Sequence, residues 1–291
     1  MNKVFITGGS GLLGRYLCNF LIKKKYTVFA LRNTHGIDLK GVNEFEIDLN
    51  NVDKVHEMFS NINPDTTIHC AGYTNVDECE NHEKRAFFLH KEFPANLANL
   101  CSNSNSKFIY LSTDQLWNGT TSFAREDQKT DPINIYAKSK SEGEEAVLKV
   151  NDNSLIIRTN FFGKGSVWRQ SFSDWIIHKL INKEIINAFQ DVYFTPISLY
   201  YLSKYIHELI VKDATGIYHL AGSERISKYN FALKLAEYLQ LPSRNINPIS
   251  INDSGLLAPR ALDMSLSTEK INIFLKTKMP DINASFSTIN K

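Results

Sequence analysis

Cysteine is scarce in this sequence. Cys18, Cys70, Cys79 and Cys101 are the only four; their spacing matches no metal knuckle, and the histidines form no HxxxH pair. No metal site is expected, and a reduced cytoplasmic compartment fits best, with Cys70, at the end of an apolar run, read as a core thiol. Neither sign of charge is in surplus, since 33 Lys and Arg stand against 31 Asp and Glu without a long run of either. That balance leaves no electrostatic footprint for nucleic acid or an anionic membrane. The one basic cluster, Lys23–Lys25, falls where a helix is expected to end, a placement that suits the helix dipole. No apolar run approaches the roughly 18 residues of a membrane helix, and the opening "MNKVFIT" reads as a short strand rather than a signal peptide. What is present is apolar content of 43% over 291 residues, enough to bury a full core.

The first half alternates strand and helix signals. Near-continuous apolar runs at 3–7, 26–31, 43–47, 66–70, 107–112 and 154–159 suit a parallel sheet covered on both faces. Helix-length segments lie between them at 12–24, 51–61, about 76–101 and 134–150. The alternation predicts an α/β fold, a doubly wound parallel Rossmann sheet. Beyond Asn160 the pattern loosens, with helical stretches near 171–182, 198–212 and 227–240. The expected division is a dinucleotide-binding domain over 1–159 and a smaller α/β substrate-binding domain over 160–291. The strand-like 216–221 is open to joining the main sheet. In such folds ligands bind outside the carboxyl ends of the strands.

"TGGSGLLG" (7–14) follows the first strand and opens the first helix. Gly8 permits a tight turn, Gly11 lets backbone approach a pyrophosphate, and Gly14 lets helix and strand pack closely. The first helical turn, Leu12, Leu13 and Gly14, offers N–H groups to an anion. The second strand ends in Arg32 and Asn33 rather than in a carboxylate, and a guanidinium there can pair a 2′-phosphate. NADPH is the expected cofactor, with NADH left open. Asp48, followed by Leu49, is placed either to accept from the adenine amino group or to cap the next helix.

Hydride transfer to a ketone needs an acid beside the nicotinamide. Tyr136 and Lys140, four apart in "NIYAKSKSEGE", share a helical face, and an ammonium stabilises a phenolate. Lys138 points about 200° away, and the Ser and Glu residues read as the helix's wet side. "YLSTDQLWNG" puts Ser112, Thr113 and Asp114 at the carboxyl end of the fifth strand, where a hydroxyl can bond the same carbonyl oxygen.

With these blocks in place the chain resembles the extended short-chain dehydrogenase/reductases, in the dTDP-4-dehydrorhamnose reductase-like branch. The likeness also runs through "IHCAGYTNVDECE", "RTNFFG", "QDVYFTPIS", "GIYHLAG" and "PRALDMSLS". It implies an NAD(P)-dependent oxidoreductase acting on a nucleotide-linked 4-keto-6-deoxy sugar, with Thr113, Tyr136 and Lys140 as the catalytic trio and Tyr136 as proton donor. It implies that Ala71, Gly72 and Tyr73 line the cofactor channel, and that Asp114, Gln115, Trp117, Asn160, Phe161 and Arg260 meet the substrate. Arg158 and Thr159 close the sixth strand, Arg158 in either a functional or an ion-paired role. Tyr193 and Trp168 are further aromatic candidates, and Glu126 and Asp127 lie in a loop expected to flank the cleft, either as ligand contacts or as solvated carboxylates. Two other classes stay open: a nucleotide-sugar epimerase or dehydratase, and a non-catalytic dinucleotide-binding subunit like that of methionine adenosyltransferase. Against the former, Gln115 stands where dehydratases carry a Glu, and no Cys follows Cys101. A homodimer is left open.

Overall fold

The computed structural model describes residues 2–289. The strands β1 (Lys3–Thr7), β2 (Thr27–Arg32), β3 (Val42–Glu46), β4 (Thr66–His69), β5 (Lys107–Leu111) and β6 (Leu155–Thr159) lie within a residue or two of the apolar runs that predict them. Each neighbouring pair among them is parallel, in the spatial order β3-β2-β1-β4-β5-β6. A seventh strand, Gly216–Leu220, lies beside β6 at the edge. This is a doubly wound order, with connections passing over the sheet from helices.

Those helices are α1 (Leu12–Lys23), α2 (Val52–Ile62), a broken run over 76–103, and a long helix over Ile135–Val150. One face of the sheet buries Phe5, Leu31, Phe108, Tyr110 and Ile156 against Val55 and Phe59 of α2 and Phe93 and Leu97 of the broken run. Each such large side chain contributes roughly 1.5–3 kcal/mol by leaving water.

The broken run is where the structure departs from the expected single helix. It consists of α3 (Val76–Asn81), α4 (Glu83–Phe87), a π-helical turn (Phe88–Glu92) and α5 (Phe93–Asn103). Pro94 supplies the reason. It has no N–H to give the carbonyl four residues back, which belongs to His90. That carbonyl instead accepts the hydroxyl of Tyr110 at 2.7 Å. Gly143 packs against the same oxygen so closely that a Cβ there would lie 1.9 Å from it. A π turn of this kind presents its side chains at angles a regular helix would not.

The chain divides into two compact units whose segments interleave. The first comprises 1–112, 135–157 and 206–218 and contains most of the sheet; the second comprises 113–134, 158–205 and 219–291. In the second unit, short strands β7 (Phe161–Phe162), β8 (Ile186–Phe189), β9 (Tyr193–Phe194), β10 (Ile197–Ser198), β12 (Ile226–Ser227) and β13 (Ile246–Ile249) pair two by two, β11 being the edge strand Gly216–Leu220. Its core is aromatic: Phe231 meets Phe162, Phe194 and Phe286 at centroid distances of 5.1, 5.5 and 5.4 Å. Naming the long helix α6 (Ile135–Val150), the remaining helices are α7 (Phe172–Ile181), α8 (Leu199–Val211), α9 (Lys228–Tyr238), α10 (Glu269–Leu275) and α11 (Ile282–Phe286). Among the described residues, no helix is long and apolar enough to cross a membrane, and no cluster of His, Cys, Asp and Glu could hold a metal.

Candidate active site

In the first unit, the loop between β1 and α1 is closed by contacts only glycine allows. Gly8 has φ +70°, and a Cβ on it would sit 2.6 Å from the backbone nitrogen of Ala71; one on Gly14 would sit 2.1 Å from the Gly8 carbonyl oxygen. Gly11 is the N-cap of helix α1, which has no side-chain cap and no acidic residue in its first turn. Its positive end is thus left for an external anion, and this cradle fits the phosphates of a dinucleotide.

Arg32 has company the sequence reading did not foresee. Its Nε pairs with Glu44 Oε1 at 2.8 Å and its Nη1 with Glu46 Oε2 at 2.6 Å, both from the adjacent strand β3. Nη1 also donates to the Asn33 carbonyl at 2.8 Å. A cofactor phosphate at Arg32 would have to compete with two carboxylates. Asp48 does not cap α2; Asn51 does, through Lys54 N. Asp48 instead accepts from the backbone and side chain of Asn50, at 3.0 and 2.8 Å, and Leu49 is half-buried.

Tyr136 and Lys140 lie on the buried face of α6. Lys140 Nζ donates to the Leu111 carbonyl at the end of β5, at 2.8 Å, and lies 4.6 Å from the Tyr110 ring centroid. Burial lowers its pKa to about 8, against the opposing field of Glu144. The Tyr136 ring meets the edge of His90 at a centroid distance of 5.5 Å. The π turn and α6 thus fix the tyrosine together. The "wet side" of α6 requires correction. Ser139, Ser141 and Glu144 are buried with the pair, while Lys138, Glu145 and Lys149 face solvent.

His90 links this helix to the segment after β4. Its Nε2 accepts the Tyr73 backbone N–H at 2.9 Å, so Nδ1 carries the proton and donates to Ser139 Oγ at 2.8 Å. Gly72 passes so near that a Cβ on it would lie 3.3 Å from His90 Nε2 and 3.7 Å from Lys140 Nζ. The Tyr73 ring turns outward, its hydroxyl donating to Glu78 and its face covered by Arg85 at 4.6 Å. Cys70, just after β4, keeps some exposure as a residue, but burial pushes its thiol pKa well up, as a core thiol would show. Ser112 Oγ, by contrast, is buried at the end of β5 with no hydrogen-bond partner among the described residues.

The second unit holds Thr113, Asp114 and Asn160 in one network. Thr113 Oγ1 donates to Asp114 Oδ1 at 3.3 Å and accepts from Gln115 N at 3.3 Å; Asn160 Nδ2 donates to Asp114 Oδ2 at 2.7 Å. Burial raises the Asp114 pKa to about 6, and Lys228, Asn160 and Thr113 pull against that rise. Lys228, at the start of the helical stretch expected near 227–240 and singled out by no motif, interacts electrostatically with Asp114.

Several expected substrate residues have structural surroundings. Trp117 belongs to the core with Leu116, Ala124, Ala221 and Leu266; its Nε1 donates to the Lys129 carbonyl at 3.1 Å. Arg158 is buried, its guanidinium 5.1 Å from the Trp117 ring and its Nη1 3.5 Å from both His219 Nε2 and the Glu126 carbonyl. Glu126 is no solvated loop carboxylate, because Oε1 accepts the His219 backbone N–H at 3.0 Å. Asp127 is exposed beside Arg125. Tyr193 lies under the Arg225 guanidinium at 3.6 Å, Trp168 is exposed, and Phe161 is half-buried. Arg260 Nη1 donates to the Ala258 carbonyl at 2.7 Å.

Comparison with known proteins points the same way. The family model described as "RmlD substrate binding domain" matches residues 1–289. The dTDP-4-dehydrorhamnose reductase of Aggregatibacter actinomycetemcomitans is 29% identical, over 93% of this chain and 92% of its own. Methionine adenosyltransferase 2 subunit beta of Bos taurus is 29% identical over 85% and 75%. The crystal structure of dTDP-4-dehydrorhamnose reductase from Bacillus anthracis, in complex with NADP, superposes with a TM-score of 0.88 at 26% identity, covering 99% of both chains. With its glycine loop, its Tyr136–Lys140 pair and a match over essentially its whole length, the chain belongs to the RmlD substrate-binding-domain family, the dTDP-4-dehydrorhamnose reductase-like oxidoreductases among the extended short-chain dehydrogenase/reductases.

Proposed function

We propose that this protein reduces the 4-keto group of a nucleotide-linked 6-deoxy sugar with NADPH, Tyr136 giving the proton. The observation that carries this reading is the buried pair on α6, with Lys140 pinned to the end of β5 and Tyr136 held by His90. The cofactor, when bound, supplies the hydride that goes to the carbonyl carbon. Tyr136 gives its phenolic proton to the carbonyl oxygen, which becomes the product hydroxyl, and Lys140 stabilises the phenolate left behind. Thr113 has one hydroxyl proton, now directed to Asp114; turned to the ketone it would polarise the carbonyl. The glycine cradle, Gly72 and the orphan hydroxyl of Ser112 support assigning the dinucleotide to the first unit. Asp114, Asn160 and their neighbours support assigning the sugar to the second.

The test is oxidation of NADPH with dTDP-4-keto-6-deoxy sugars generated in place by a dehydratase. Steady turnover is expected. A second reading, a dinucleotide-binding subunit without turnover, is favoured by the 29% identity to the methionine adenosyltransferase subunit. Absence of turnover together with co-purification of an adenosyltransferase would replace the first reading with the second.

The cofactor preference rests on Arg32 and its two carboxylates. Arg32→Ala is expected to weaken NADPH about tenfold or more while changing NADH little, since a charged hydrogen bond is worth roughly 1.5–3 kcal/mol. Glu46→Gln, which frees one prong of the guanidinium, is expected to tighten NADPH several-fold. Fluorescence titration of both cofactors measures this, and equal losses for both in Arg32→Ala would remove the phosphate role.

A further inference from the structure

Lys228 sits in an unfavourable place for a cation. It is the first residue of α9, where the helix dipole opposes positive charge. Its Nζ lies 3.4 Å from the centroid of the Phe194 ring and 4.8 Å from that of Phe172. Burial lowers its pKa to about 8, and the field of Asp114 is what holds it up. Aromatic faces and that field offset part of the cost. An ammonium has three N–H groups, however, and among the described residues no hydrogen bond or ion pair engages them.

Asp114 has spare capacity of the opposite kind. Bonds from Asn160, from Thr113 and from its own backbone N–H leave at least one of the roughly four lone-pair positions of the carboxylate open. A hydroxyl is the group that can accept from an ammonium and donate to a carboxylate at once. An anion would be drawn to Lys228 and repelled by Asp114, and an apolar group would satisfy neither.

We propose that Lys228 is a substrate-specificity residue that, with Asp114, grips the sugar hydroxyl next to the ketone, Lys228 donating to its oxygen and Asp114 accepting its proton. The position on the sugar follows from chain geometry. Asp114 adjoins Thr113 and is bonded to it, and Thr113 is the residue that the proposed function, on which this inference rests, assigns to the keto oxygen. In a 4-keto-6-deoxypyranose the carbon on one side of the ketone carries the methyl-bearing branch, so the vicinal hydroxyl is that on C3.

The experiment compares wild type with Lys228→Met on dTDP-4-keto-6-deoxyglucose and on its 3-deoxy analogue. Wild type is expected to have a KM about 10- to 100-fold lower for the hydroxylated sugar, and the variant to lose that preference. NADPH affinity should be unchanged, and thermal stability little changed, because the gain from removing a desolvated cation is offset by the loss of its field at buried Asp114. A lysine with a merely structural role would instead lower the melting temperature and affect both substrates equally. That result, or an undiminished preference for the hydroxylated sugar in Lys228→Met, overturns the inference while the reductase reading stands. If wild type oxidises no NADPH with either sugar, the reductase reading itself fails and the inference falls with it.

Discussion

Tyr136→Phe is expected to lower kcat about a thousandfold, within the 10²–10⁴ range that a positioned general acid supplies, while NADPH binding stays within a few-fold of wild type. The variant keeps the ring and removes the hydroxyl to which the proposed chemistry assigns the proton. Phenylalanine keeps the edge-on contact with His90, whose protonated Nδ1 remains bonded to Ser139 and whose Nε2 still accepts from Tyr73. Lys140 keeps its bond to the Leu111 carbonyl. What disappears is the proton that the proposed mechanism delivers to the ketone. Single-turnover reduction of a keto-sugar by bound NADPH, followed by loss of the 340-nm absorbance, isolates that step from product release. Turnover near the wild-type rate would take Tyr136 out of the mechanism, and a parallel loss of NADPH affinity would make its role one of binding.

The parts of this site that could be read from residues were those with local signatures. The parallel strands announce themselves as apolar runs because both their faces are covered, and the glycine loop follows β1 immediately. The pair on α6 is an i, i+4 relation inside one helix. What could not be read was set by partners distant in the chain. Glu44 and Glu46 reach Arg32 only because β3 pairs with β2 in a register that sets Arg32 beside Glu46. Lys228 feels the field of Asp114, which lies more than a hundred residues earlier in the chain. Trp117 was assigned to substrate by its place in a motif, whereas Arg158 and His219 enclose it in the core. The π turn is an intermediate case. Pro94 lies inside the stretch expected as one helix, and its consequence depends on the Tyr110 hydroxyl taking the carbonyl that proline leaves free. The buried serines and glutamate of α6 mislead for a similar reason: polar composition signals solvent until a neighbouring helix turn is known to cover it.

Acidification to pH 5 is expected to remove about 5 kcal/mol of folding stability relative to pH 7.5, a large share of the roughly 5–15 kcal/mol typical of a folded chain. Three histidines are responsible: His69, His90 and His219, all fully buried. Burial first, then the nearby charge of Lys140, lowers His69 to about 3 and pushes His90 down in the same sense; burial and Arg158 lower His219 to about 3. Each is thus neutral in the folded chain at a pH where the unfolded chain, titrating near 6.5, takes up a proton. With the folded value depressed, the contribution is complete above 6.5 and is lost as pH falls toward 3, at about 1.4 kcal/mol per pH unit and per histidine. Over the one and a half units from 6.5 to 5, three histidines lose about 6 kcal/mol by this rule. Asp114 works in the opposite sense, since its folded value is raised to about 6; its protonation below that pH returns roughly 1 kcal/mol. Two of the three histidines belong to the first unit and one to the second, so hydrogen exchange at both pH values should show the larger loss in amides of the central sheet. Chemical denaturation at pH 7.5 and 5 measures the total. A difference below about 1 kcal/mol would mean that these imidazoles are protonated inside the fold, and would undo the tautomer assigned to His90 beneath Tyr136.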